Sequence, residues 1–187
     1  MKQWTLAVAN YESAYDRFPR RSSESGLSWR VELLPFIEES KLHEAIDHSA
    51  AWDAASNTEF HKPVPHGLKC HNREDSSSNT QLVGVHSDNS FWRDEETTFD
   101  DISDRNCDTL VFIELDLPDV HWMSPNDVTL EDLIELLERD GRLPSLHSAG
   151  VLMSFADVSV RCVPHEKITP EFLRAIVSIN GGEIIDP

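Results

Sequence analysis

Trp4, Ala7, Val8, Tyr11, Ala14, Tyr15 and Phe18 fall at i, i+3, i+4, i+7, i+10, i+11 and i+14. That spacing keeps one apolar stripe facing one way on a 3.6-residue period, and it predicts an amphipathic helix starting at residue 2. The helix ends at Phe18-Pro19, because the residue before a proline is pushed out of the helical region. No Ser, Thr, Asp or Asn precedes it, so it starts uncapped, as the lower part of a longer helix would.

The next apolar groups are shorter. Residues 28–34 read as a short helix capped by Ser28, with Trp29, Leu33 and Phe36 on one side, broken at Pro35 and resumed over about 36–46. From about 48 to 79 the chain is polar and has no sustained period, so 48–108 reads as a largely irregular insertion with one or two strands. The β-branched runs 81–86 (QLVGVH) and 109–115 (TLVFIEL) have strand length, and 120–123 is a shorter candidate. Thr129 and Asp132 form a capping box before Leu130, Leu133, Ile134 and Leu137, and Gly141 stops that helix. Residues 150–156 and 159–163 make a hairpin around Asp157-Val158. Thr169-Pro170 then opens a last helix with Phe172, Leu173, Ile176 and Val177 inward. Helices come first and strands later, without β-α-β alternation. This order predicts a single α+β domain over 1–187 with a mainly antiparallel sheet.

Charge narrows the function. A net charge of −18 over 187 residues repels phosphate backbones and excludes nucleic acid as a partner. Residues 1–21 carry four cations (Lys2, Arg17, Arg20, Arg21) against Glu12 and Asp16. This is a mildly basic head of the kind that lies near an anionic membrane face, and equally of ordinary solvated helix ends. Cys70, Cys107 and Cys162 are odd in number and have no C-x-x-C spacing, so they form no complete disulfide framework.

Candidate chemistry is sparse. No nucleophile elbow, phosphate-binding loop or dinucleotide fingerprint is present, and the reading is of a protein without enzymatic activity. The 43–48 run HEAIDH places its second His one residue too late for a zinc-protease helix. His61, His66, Cys70 and His71 are zinc-type ligands without a zinc-module spacing. Seven carboxylates crowd 94–108, and Asp100, Asp101, Asp104 and Asp108 are the calcium candidates, although EF-hand order and glycine are missing. His147 and Asp157 flank the start and turn of the hairpin. An imidazole hydrogen bond to backbone or carboxylate there would pin the hairpin to the preceding loop, a structural role.

Those two residues also carry a resemblance. Residues 147–161 (HSAGVLMSFADVSVR) resemble the His, nine residues, Asp-Gly signature of bacterial prepilin-like proteins, pseudopilin-related and similar to secretion-pathway G. Other blocks follow in order. Lys2-Gln3, Leu6, Asn10-Tyr11, Tyr15 and Phe18-Pro19 resemble the family's helix end. Residues 26–38 (GLSWRVELLPFIE) resemble its Ser-Trp-Arg block. Ile102-Ser103-Asp104 with Thr109 resembles a turn that is followed by Glu114. His121-Trp122-Met123 with Pro125-Asn126-Asp127 resembles a Pro-Trp and Pro-x-Asp block. The chain departs from the pattern at Arg105 and Val158, which stand where glycine is usual, and Cys70 alone survives of a Cys-Pro-x-Asp block.

The resemblance implies a pilin-like fold, a long N-terminal helix packed on an antiparallel sheet with long loop insertions. It implies an extracytoplasmic envelope protein, anchored in the full-length form by an apolar helix absent from this chain, and soluble as given. Its partners would be other pilin-like subunits or envelope proteins, with no cofactor. The alternative is an extracytoplasmic module binding calcium, another divalent metal or a ligand. Because a β-branched residue is poorly tolerated at positive φ, Val158 is expected to keep negative φ in a relaxed turn.

Overall fold

The computed structural model describes all residues except 63, 71–76, 118 and 183–187. Helix α1 (Lys2–Tyr15) forms where the stripe predicts, with no side-chain cap at its start. Trp4, Ala7, Val8 and Tyr11 are buried, but the end of the stripe is not, and Tyr15 is 56% exposed. The reason lies at Asp16, whose left-handed backbone (φ 55°) turns the chain out of the helix early. Phe18 therefore reaches the core from outside the helix, against Phe91 and Phe99, and Tyr15 is left lying along Tyr11 and Phe36 with its outer edge in solvent. The expectation of a buried Tyr15 is corrected accordingly.

Helix α2 (Trp29–Glu32) is capped by Ser28, whose Oγ accepts from the Arg30 amide; Pro35 sits in a 3-10 turn (Leu34–Ile37), and α3 covers only Ser40–Ala45. The irregular stretch after it is tied by one buried side chain. Asn57 accepts from the Asp47 amide and donates to the carbonyls of Asp47, Ala50 and Ala51.

The strands are β1 (Leu82–Val83), β2 (Val85–His86), β3 (Leu110–Glu114), β4 (Val128–Thr129), β5 (Val151–Phe155) and β6 (Val160–Val163). Helix α4 (Leu130–Asp140) follows β4 with the Thr129/Asp132 capping box and a left-handed Gly141. Helix α5 (Pro170–Val177) is capped by Thr169. An antiparallel sheet has order β1-β3-β5-β6, and β2 pairs in parallel with β4. The 81–86 run is thus two strands, not one. At Gly84 the Trp92 indole lies where a side chain would be, 2.6 Å from an ideal Cβ, and beyond it the chain leaves β3 for β4. The 120–123 candidate makes no strand, only an isolated bridge between Asn79 and His121.

Alternation along the strands serves two cores. Leu82 and Phe112 join Trp4, Trp29, Trp92 and Trp122 of the α1–α2 layer, whereas Val83, Ile113 and Met153 join Leu133, Leu173 and Ile176 of the α4–α5 layer. The fold is α+β, an N-terminal helix packed beside an antiparallel sheet.

Residues of the 26–38 and 121–127 segments meet in the first core. The Arg30 guanidinium, fully buried, donates to Asp127, to Ser28 Oγ at 2.9 Å and to the Leu82 carbonyl at 2.7 Å. Trp29 Nε1 donates to the other Asp127 oxygen at 2.6 Å, and its ring stacks on Trp92 and Phe112.

The Phe155–Ser159 backbone bond closes the β5–β6 connection around a three-residue loop, 156–158, rather than two. Phe155 donates to the Ser159 carbonyl (3.0 Å) and Val158 to the Phe155 carbonyl (2.9 Å), and Val158 has φ 65°. This is a turn followed by a left-handed bulge residue, the place where glycine is favoured. The relaxed, negative φ expected for Val158 is therefore wrong, and Asp157 does not carry the unusual geometry. Neighbouring bonds hold the strained backbone. Ala156 and Asp157 donate to the carbonyls of Thr109 and Asn106, and Lys2 Nζ donates to the Val158 carbonyl. Arg105, the other departure from glycine, keeps negative φ.

Candidate functional site

Three segments distant in sequence meet at one end of β3. Glu114 is its last residue, set opposite Leu82 of β1 by the antiparallel register. His147 stands on the loop before β5. Ser145 shapes that loop, its hydroxyl accepting from the His147 amide (3.1 Å) and donating to the Gly150 carbonyl (2.9 Å). Cys70 is brought alongside β1 when its amide donates to Gln81 Oε1 at 3.0 Å, while Gln81 itself donates to the Leu68 carbonyl.

The side chains converge. His147 Nε2 lies 2.6 Å from Glu114 Oε1 and 3.8 Å from Cys70 Sγ, and one ligand atom of each residue falls within 4.8 Å of the other two. The cluster is partly open, with 29% of the His147 side chain and 15% of Glu114 exposed. The Met1 α-amino group is close enough to feel both Glu114 and Cys70. Burial lowers its pKa, against the opposing pull of those two groups.

The geometry restricts the chemistry. A nucleophile–base–acid relay uses both ring nitrogens, one toward the nucleophile and one toward the orienting carboxylate. Here the thiol and the carboxylate both approach Nε2, so a Cys–His–Glu relay is not formed. Sulfur, nitrogen and oxygen instead point at a common centre, the arrangement of ligands rather than of a proton chain.

The His147 imidazole, expected to bond backbone or carboxylate and so pin the hairpin to the preceding loop, does not reach Asp157. The two lie beyond opposite ends of β5, about 17 Å of strand apart, and Asp157 accepts from the Ser159 amide at 2.8 Å within its own turn. The imidazole does find a carboxylate, but it belongs to Glu114.

The calcium candidates are dispersed onto other partners. Asp101 caps the turn at Thr98, accepting from its amide and hydroxyl, and pairs with Arg93 at 3.1 Å; these contacts hold its carboxyl below the usual range. Asp104 accepts from the amides of Gly181 and Gly182. Asp108, buried, forms an ion pair with Arg105 at 2.6 Å that is not an aligned hydrogen bond, and Asp100 faces solvent. Among the described residues, no metal-sized group of ligand atoms includes any of the four. Other acids of that loop neutralise the basic head, Asp94 on Arg21 and Glu96 on Arg17 and Arg20.

The histidine-rich insertion also divides. His61 Nε2 contacts the Trp52 carbonyl and its ring meets His121, while His66 offers only its carbonyl, to Trp4 Nε1. His71 lies outside the described residues. Of the described members of that set, Cys70 joins the cluster. His121 is half-buried beside His61 and Arg30, and desolvation first, then those two charges, pushes its pKa down to about 4.

In the sequence Cys70 stands out as a zinc-type ligand and His147 as an imidazole that could pin the hairpin, whereas Glu114 shows only as a position of the resemblance; no spacing along the chain foretells that they meet. Residues 1–98 match a family described as "Protein of unknown function (DUF1559)". The match includes Cys70 and stops short of Glu114 and His147. No curated protein and no solved structure matches the chain.

Proposed function

The chain belongs to that family of unknown function, and on this premise we propose that it is a non-enzymatic cell-envelope protein related to the pseudopilins of type II secretion and type IV pili. It works by self-assembly or by contact with other envelope proteins. The observation that carries this reading is α1. The helix seats Trp4, Val8 and Tyr11 in the core and leaves Leu6 exposed on the opposite face, while Tyr15, on the core side, is exposed at the C-terminal end. In a pilin-like assembly the outer face that carries Leu6 meets the neighbouring subunit. No helix of the described residues is long and apolar enough to cross a membrane. Membrane anchoring in this reading rests on the resemblance, which implies an apolar segment continuing α1. Because Arg17, Arg20 and Arg21 already have carboxylate partners, the basic head adds little attraction to a lipid surface.

The calcium-binding alternative draws no support from the four aspartates: Asp101, Asp104 and Asp108 have partners within the fold, and Asp100 faces solvent. Expression from the native gene, with its upstream sequence, tests the main reading. The product should sediment with membranes, and Leu6→Cys and Tyr15→Cys forms should cross-link into multimers. A gene that starts at Met1 and yields a monomer in the soluble fraction refutes it.

A further inference from the structure

We propose that Cys70, Glu114 and His147 bind one first-row divalent transition metal, zinc by preference, with a fourth coordination position open to solvent. This goes beyond the envelope reading and does not depend on it.

Ligand type sets the metal. A thiolate, an imidazole nitrogen and a carboxylate oxygen suit a borderline ion, whereas calcium and magnesium take oxygen alone. Geometry agrees with that choice. Tetrahedral zinc with N and O ligands near 2.1 Å and S near 2.3 Å separates N from O by about 3.4 Å and N from S by about 3.6 Å. The Nε2–Sγ distance of 3.8 Å is already close to that value. The Nε2–Oε1 contact of 2.6 Å is a hydrogen bond that must open by about 0.8 Å when a metal replaces its proton, a displacement that a Glu χ rotation supplies.

The cluster is also held in place by backbone. Glu114 is carried on a strand paired on both sides, and Ser145 and Gln81 fix the two loops that bring His147 and Cys70. Three protein ligands with part of His147 and Glu114 exposed leave room for water or an exogenous donor, unlike a closed four-ligand structural site. Metal binding requires the Cys70 thiol and the Nε2 position to be unprotonated, and any protons they carry leave to solvent.

Cobalt(II) titration of chelator-treated protein tests the site. The expected result is a thiolate-to-cobalt charge-transfer band with four-coordinate visible bands, saturating at one equivalent and displaced by zinc. A Cys107→Ser, Cys162→Ser double variant should keep the band, and Cys70→Ser should lose it. Glu114→Gln and His147→Gln should each raise the cobalt Kd about 100-fold or more, at least the loss typical of disturbing an outer-shell partner. If a variant fails to fold, zinc-edge X-ray absorption on the unmodified protein decides instead, with one sulfur and otherwise N/O neighbours expected. A band surviving Cys70→Ser, affinity unchanged by Glu114→Gln, no saturable binding, or a zinc shell without sulfur overturns the proposal. Membrane fractionation has no bearing on any of these outcomes.

Discussion

Replacing Val158 with glycine should stabilise the protein by about 0.5–1 kcal/mol. Val158 holds φ at 65°, where the Cβ of an L-residue crowds the following carbonyl. That region costs roughly 1–2 kcal/mol, and a β-branched side chain belongs at the upper end. Glycine removes this cost but enlarges the conformational freedom of the unfolded chain, which takes back about 0.4–1 kcal/mol. The side chain is only partly buried, so little packing is lost with it. The bonds around the turn come from backbone atoms of residue 158 and survive the change. Urea unfolding should show a higher midpoint with an unchanged slope, and for a chain of this length Tm should rise by roughly 2–4 °C per kcal/mol. Val158→Ala, which keeps the Cβ, should recover much less. A glycine variant that is neutral or destabilised at constant slope would show that the bulge is relaxed, and the strain argument would fall.

Tyr11→Ala should cost about 3–5 kcal/mol in urea unfolding, because the ring is buried against Phe36 and its hydroxyl donates to Glu32 at 2.9 Å; a loss under 1 kcal/mol would mean α1 is peripheral. Asp127→Asn should be destabilising by about 3–5 kcal/mol, since it leaves the buried Arg30 cation uncompensated, and adding Arg30→Met should recover part of the loss. His121 has a folded pKa near 4 against 6.5 unfolded, so the unfolded state takes up the proton first on acidification. Stability should be fully present above pH 6.5 and decline toward pH 4, and the His121→Gln variant should show a shallower decline over that window in chemical denaturation.

Local signals were legible and distant ones were not. Ser28, the Thr129/Asp132 box and Thr169-Pro170 each act within three residues, so the sequence shows them directly and the helices begin where they say. The strand break at Gly84 depends on an indole eight positions later, and nothing in 81–86 encodes it. Tyr15 fits the helical period perfectly well; it is exposed because Asp16 leaves the helix, a backbone choice that periodicity does not express. The site is the extreme case. Cys70, Glu114 and His147 each resembled a family position, but their meeting depends on the β1–β3–β5 register and two loop anchors. Without that register, Asp157 was the nearer partner for His147 along the chain.

The sheet has a further consequence for dissecting the molecule. The family match ends at residue 98, between β2 and β3, yet β1 has β3 as its ladder partner, and Trp92 Nε1 donates to the Val111 carbonyl across the same boundary. A fragment ending at 98 would present β1 as an unpaired edge and a cluster of tryptophans without Phe112 to cover them. The complementary fragment would keep β3, β5 and β6 with one apolar face bare. Neither half buries its own surface, so the two should recover the fold only by association, as split-protein fragments do. The stretch recognisable by sequence is thus not a unit that folds.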